Sequence, residues 1–211
     1  TGIPIGSYTV DEIYDGNIWS SSAATFTAGI TNGGNSEAWV TNTLNTGSLK
    51  VHKAVAGLDD PSVIPDADKT FEFTLSGQSD AGTPVNIVKT VIGGQDALFE
   101  GVPVGTYTLT ESYNADLWDS DAATQQVRID ANQTKEITAT NTIHVGNLTV
   151  NKTTKNIDLD RLEDKDKTFT FKLQGTSLYN SPVDLELSVV GEGSVTFENV
   201  PVGTYTLTEV Y

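Results

Sequence analysis

The sequence contains no cysteine and no methionine, and only two histidines, His52 and His144. Without cysteine there can be no disulfide, no thiolate metal site and no thiol nucleophile. Two histidines leave little from which to build an imidazole-based catalytic or metal centre. Basic residues are scarce as well: 12 Lys and Arg stand against 28 Asp and Glu, a formal net charge of −16. A surface of that sign repels phosphate backbones and anionic lipid, which argues against nucleic acid or a membrane surface as partner. No apolar run approaches the roughly 18 residues that a membrane helix requires. There is no leader-like pattern at Thr1, so the chain reads as a piece of a longer polypeptide. What is present suits a folded globular chain: 37% hydrophobic residues and 19 glycines in 211, enough for one or two domains with a core.

The sequence repeats itself. Pro4-Ile-Gly-Ser-Tyr-Thr-Val-Asp-Glu12 returns as Pro103-Val-Gly-Thr-Tyr-Thr-Leu-Thr-Glu111 and as Pro201-Val-Gly-Thr-Tyr-Thr-Leu-Thr-Glu209. Gly47-Ser-Leu-Lys-Val-His-Lys53 returns as Gly146-Asn-Leu-Thr-Val-Asn-Lys152, and Val40-Thr-Asn42-Thr-Leu44 as Ala139-Thr-Asn141-Thr-Ile143, each pair 99 residues apart. Trp19 and Trp118 keep the same offset, each with an Ala-Ala-Thr behind it. A period of that length is a whole small domain rather than a solenoid unit. The division expected is the later part of one repeat at 1–46, a complete repeat at 47–144, and the earlier part of a third at 145–211. The junctions lack a Pro/Ser-rich spacer, so neighbouring repeats should sit end to end.

Alternation at period two marks strands: Leu49, Val51, Lys53; Phe71, Phe73, Leu75; Tyr107, Leu109, Glu111; and Phe169, Phe171, Leu173. Turn signals such as Gly93-Gly94, Gly191-Glu192-Gly193 and the Pro-x-Gly before each Tyr separate them. No helix is expected. The fold class that follows is all-β, with one antiparallel sandwich per repeat.

The same alternation turns three polar residues inward. The apolar face of the first strand ends in Lys53, and again in Lys152. That of the Tyr strand ends in Glu111, as at Glu12 and Glu209. That of the last strand contains Asn141, matched by Asn42. Buried Lys and Glu are costly unless paired, and an ordinary buried ion pair beside an amide is the bland reading. The reactive reading is amide formation. Desolvation favours the neutral amine, which has a lone pair with which to attack the Asn carboxamide. A buried carboxyl that holds a proton can polarise the carboxamide oxygen and pass that proton to the departing ammonia. Enclosure keeps nucleophile and electrophile together. No cofactor and no metal is needed.

This constellation resembles the collagen-adhesin B-type (CnaB) domains of Gram-positive surface proteins and pilins. The matching strings are the L-x-V-x-K opening strand, the G-x-Y-x-x-x-E strand and the closing T-N-T, in that order and across all three copies. The resemblance implies tandem Ig-like sandwiches, with Lys53 and Asn141 as the partners of an isopeptide bond and Glu111 as its catalytic residue. It implies Glu12 with Asn42, and Lys152 with Glu209, as incomplete sets. These would be completed only by residues outside the chain or by another copy of it. The function implied is a structural stalk of an adhesin or pilus-like fibre, outside the cell on a Gram-positive wall or fimbrium. It is not an enzyme beyond one autocatalytic turnover. Its partners are neighbouring repeats or copies of the chain, with any host ligand held by other regions.

Two rivals are a sortase-polymerised pilin subunit and a ligand-binding adhesin module. The first lacks an LPxTG-type signal or a recognisable pilin-motif lysine here. The second would need a large exposed apolar patch. A hydrolase would need a cleft for which the sequence gives no sign. The acidic clusters Asp59, Asp60, Asp66, Asp68 and Asp158, Asp160, Asp164, Asp166 lack EF-hand spacing and read as solvated loops. Trp19 and Trp118 read as caps on the core near the polar residues.

Overall fold

The computed structural model describes residues 2–155 and 167–210. The second acidic cluster, Asp158 to Asp166, lies outside them. Apart from one 3-10 turn at Pro61–Val63, N-capped by the Asp60 carboxylate, the regular structure there is strand. The first stretch holds β1 (Gly6–Asp11), β2 (Trp19–Ser21), β3 (Thr25–Ile30) and β4 (Asn42–Leu44), paired β1–β3 and β2–β4. The middle stretch holds β5 (Thr46–Ala56), β6 (Thr70–Ser79), β7 (Pro84–Ile92), β8 (Asp96–Pro103), β9 (Gly105–Ser112), β10 (Trp118–Ser120), β11 (Thr124–Ile129) and β12 (Thr134–Ile143). These make two four-stranded sheets, β10-β12-β5-β8 and β11-β9-β6-β7. The last stretch holds β13 (Val145–Lys152), β14 (Thr168–Ser177), β15 (Pro182–Val190), β16 (Gly193–Pro201) and β17 (Gly203–Val210), paired β13–β16 and β15-β14-β17.

The middle sandwich closes over a core to which both sheets contribute. Leu49, Val51, Phe73, Leu75, Phe99, Tyr107, Leu109, Ile129 and Ala139 are all fully enclosed. The alternation read from the sequence is the alternation of burial: along β5, Leu49, Val51 and Lys53 are buried while His52 is exposed. One pairing departs from the antiparallel rule. β12 runs parallel to β5, with Ala139 opposite Lys53 and Asn141 opposite Val55. Parallel neighbours need a long crossover. Here the crossover is the whole chain between them, so the first and last strands of the sandwich lie side by side.

The first stretch corrects two expectations. Of the strand expected around the Val40–Leu44 string, only Asn42–Leu44 forms, along β2. Its counterpart β12 is held along its length by β5, and residues 2–45 contain no such neighbour. Likewise Tyr8 and Val10, which match the buried Tyr107 and Leu109, are exposed, since no facing sheet lies over them. In the last stretch a smaller core forms around Val150, Phe171, Leu173 and Phe197. An open apolar hollow of about 550 Å³ remains beside it, lined by Leu148, Val200, Tyr205 and Leu207 among others.

The Pro-x-Gly-x-Tyr string is one structural device used three times. The Tyr107 hydroxyl donates to the Pro103 carbonyl at 2.7 Å, Tyr8 to Pro4 at 2.9 Å, and Tyr205 to Pro201 at 2.5 Å. The hydroxyl folds back over the intervening glycine. A Cβ on Gly105 would stand 2.9 Å from the Ser79 Cα and 3.0 Å from the Tyr107 oxygen. The Tyr107 ring also covers Gly77, its cross-strand partner, whose φ of +149° suits only glycine. Gly105→Ala must therefore push β9 from β6 or unseat the tyrosine. We expect a loss of about 1–3 kcal/mol, typical of an overpacked site, read as reduced hydrogen-exchange protection of the β6 and β9 amides.

Candidate functional site

Lys53, Glu111 and Asn141 meet in the middle of the core. β5 and β12, adjacent in one sheet, supply Lys53 and Asn141. β9, in the facing sheet, supplies Glu111. Each is at an inward position of its strand, and the side chains of Lys53 and Glu111 have no exposed surface at all. Lys53 Nζ donates to Asn141 Oδ1 at 2.8 Å and to the carbonyls of Ala139 and Ala54 at 3.0 Å each. It lies 3.3 Å from Glu111 Oε1 and 4.3 Å from the centroid of the Phe71 ring. Four oxygens thus crowd a group that has three protons at most.

The consequence is visible in what is left unpaired. Asn141 Nδ2 is buried and has no hydrogen-bond partner, and Glu111 Oε1 has nothing but the Lys53 amine at 3.3 Å. The other Glu111 oxygen accepts from the Ser120 hydroxyl at 2.5 Å. Burial pushes the Lys53 amine below its ordinary value, and the Glu111 charge, its hydrogen bond and the more distant Asp121 only partly oppose this. Chemically, the site holds an amine inclined to be neutral, a carboxamide whose oxygen touches that amine, and a carboxylate oxygen 3.3 Å from the same nitrogen. The carboxamide nitrogen is held by nothing.

The incomplete sets lie elsewhere and keep what contacts they can. Asn42 Nδ2 donates to Glu12 Oε1 at 2.5 Å, and Ser21 Oγ to Glu12 Oε2 at 2.6 Å. Lys152 Nζ sits 2.8 Å from Glu209 Oε1 and 4.1 Å from the Phe169 ring centroid. The structure brings neither set to the other. Four contributors escaped the sequence reading. Ser120 and Ser21 hold the carboxylates, and their signal was present: a serine two residues after each repeated tryptophan. Phe71 and Phe169 were read only as strand positions, although each ring carries a lysine. Trp118 is buried against Phe71, with ring centroids 5.7 Å apart, and donates from Nε1 to the Asp68 carbonyl at 3.0 Å. His52 is engaged on the outer surface with Asp96 at 2.7 Å, and in the first acidic cluster Asp66 pairs with Lys69 at 3.4 Å.

The model of a domain of unknown function, DUF5979, matches residues 49–144 and again 148–211. The chain belongs to the DUF5979 family. The Lys53, Glu111 and Asn141 cluster falls within the first of those two DUF5979 matches. No curated protein matches the chain. Among solved structures, the TIE protein of Bacillus anthracis superposes with a TM-score of 0.62 at 20% identity, over 99% of this DUF5979 chain and 37% of that one. At that identity the likeness is one of fold, and the chain spans little more than a third of that structure's length. The major pilin protein T-13 of Streptococcus pyogenes matches with a TM-score of 0.40 at 15% identity, over 79% of this chain and 82% of that one.

The lowered Lys53 value has a measurable consequence. In an Asn141→Ala variant, where no amide can form, the folded state binds fewer protons than the unfolded state between that lowered value and 10.5. Stability should therefore rise with pH across that window. Urea denaturation should show the slope in Asn141→Ala and lose it in Lys53→Met/Asn141→Ala.

Proposed function

We propose that the chain is part of the shaft of an extracellular adhesin or pilus-like fibre, with its complete repeat stapled by an amide between Lys53 and Asn141. The observation that carries this reading is the buried, unpartnered Asn141 Nδ2 beside an amine that already touches the oxygen of the same carboxamide. An unpartnered buried polar group costs on the order of 1–3 kcal/mol, and a buried ion pair by itself is no gain over apolar packing. Amide formation resolves the mismatch. A proton passes from the Lys53 ammonium to Glu111 Oε1, and the freed amine attacks Asn141 Cγ. The bond from Cγ to Nδ2 then breaks as Glu111 gives its proton to that nitrogen and takes the second proton shed by the Lys53 nitrogen. One C–N bond has replaced another, and the departing ammonia carries that last proton away as ammonium, which regenerates the carboxylate. Ser120 fixes the carboxylate by its other oxygen. Glu12 with Asn42, and Lys152 with Glu209, would be the corresponding parts of adjacent repeats, completed by residues of the parent protein or of another copy.

A shaft explains where the staple sits. β5 and β12 are parallel, so tension drawing Thr46 and Ile143 apart shears them past one another. With the bond in place, the load enters along β5, crosses at Lys53 and leaves along β12, and the segment between the two residues is bypassed. In the chain-entropy picture, closing a loop of that size stabilises by about 4–5 kcal/mol. Reductant would not open it. Surface location and fibre assembly belong to this reading, as does the absence of any turnover beyond the single amide. Among the described residues no helix is long and apolar enough to cross a membrane.

Two measurements test the reading. The intact mass of the folded chain should fall one ammonia short of the sequence, and Glu111→Ala should restore the full mass while remaining folded. Full mass in the folded, unmutated chain would remove the proposal. In single-molecule pulling, residues 46–143 should show no unfolding step, whereas Lys53→Ala should restore one.

A further inference from the structure

Tyr179 is the most deeply buried of the described residues in the last stretch, yet it belongs to the core of the middle one. It sits at the turn between β14 and β15, where the Ser177 hydroxyl accepts from the backbone of Tyr179 and Ser181. From there the ring enters the base of the preceding sandwich and packs edge-on against Trp118, centroids 5.3 Å apart at 62°. Its hydroxyl donates to the Leu117 carbonyl and accepts from the His144 amide, the latter at 2.8 Å. Asn180, beside it, donates to the Val63 carbonyl at 3.1 Å.

The contacts continue inward without a gap. Trp118 meets Phe71, and Phe71 lies under the Lys53 amine. Three aromatic rings therefore separate that amine from solvent at this end, and the outermost is contributed by the next repeat. The preceding junction is built differently. Its equivalent turn, Ser79–Thr83, carries Ala81 where Tyr179 stands. There the Asn45 amide bonds to the Ile18 carbonyl at 2.8 Å, against 3.4 Å for the equivalent His144 amide and Leu117 carbonyl, and Trp19 is only partly buried.

We propose that Tyr179 is a positioning residue for the cross-linking of the repeat before it, closing the base of the Lys53–Glu111–Asn141 site when the following repeat docks. This role rests on the amide proposed above. The ring excludes water from behind Trp118 and Phe71 and so keeps the amine desolvated. The charged groups facing Lys53 are Glu111 from the opposite sheet and Asp121 from the turn after β10, and water admitted at the base weakens the desolvation that opposes them. The amide of the middle repeat would then form faster once the following repeat has folded against it.

The test follows amide formation in time. The full chain, recovered unfolded with its full mass, is diluted into folding buffer, and ammonia loss is followed by intact mass across a range of pH. Each unit by which Lys53 returns toward its ordinary value removes about tenfold of the neutral amine at pH 7. Tyr179→Ala should therefore slow the reaction about tenfold, with the lost rate recovered at higher pH. Tyr179→Phe, which keeps the ring, should react at close to the unmutated rate with an unshifted pH profile. Equal rates and profiles for Tyr179→Ala and the unmutated chain would overturn the role, and so would equal slowing by Phe and Ala. A folded unmutated chain that loses no ammonia would instead remove the amide itself.

Discussion

An amine enclosed by apolar packing governs the middle of this molecule. Lys53 is held in a core of Val51, Phe71, Phe73 and Trp118, where charge is expensive. Its surroundings follow from that placement. Glu111 must face it from the other sheet, Ser120 must hold the Glu111 oxygen that Lys53 does not approach, and the carbonyls of Ala54 and Ala139 must turn toward it. Even so the hydrogen bonding does not close, since Asn141 Nδ2 is left over and Glu111 Oε1 meets only the amine, at 3.3 Å. A structure assembled for stability alone would gain by replacing the three residues with apolar ones of similar volume. Reaction between them offers a different resolution, one in which the surplus nitrogen leaves.

The fold serves the same end. Because β5 and β12 are parallel neighbours, the first and last strands of the sandwich lie in contact, and their inward faces present Lys53 and Asn141 two residues apart in register. An antiparallel hairpin could join residues near in sequence, but it would not join the point where tension enters a repeat to the point where it leaves. Parallel pairing does, and in the proposed shaft it would turn an applied pull into shear across the site. The tyrosine that folds back on Pro103 anchors β9 at the end away from Glu111, leaving the glutamate at the far end of its strand, opposite Phe73.

Much of this could be read from the residues. Period-two alternation located β5, β6, β9 and β12, and the in-register repeats showed that Lys53, Glu111 and Asn141 face one interior. What could not be read depended on partners distant in sequence. The parallel pairing of β5 with β12 leaves no local pattern, because strand direction is not encoded in alternation. Residues 35–41 have the same pattern as their repeat-equivalents, but they form no strand where no neighbour is present to pair with them. Nothing in the local sequence marks Tyr179, since its burial is supplied by Trp118 and Leu117 of the preceding sandwich. The Ser120 contact was signalled by repetition alone, as serine is too common near strand ends to attract notice singly.

The central claim is that a covalent bond joins two named side chains, and peptide mapping tests it most directly. Protease digestion of the folded, unmutated chain, followed by fragmentation in the mass spectrometer, should yield one branched peptide. It should join the segment containing Lys53 to the segment containing Asn141, lighter than their sum by one ammonia. Recovery of the two segments only as separate linear peptides, with Asn141 keeping its carboxamide, would contradict the account.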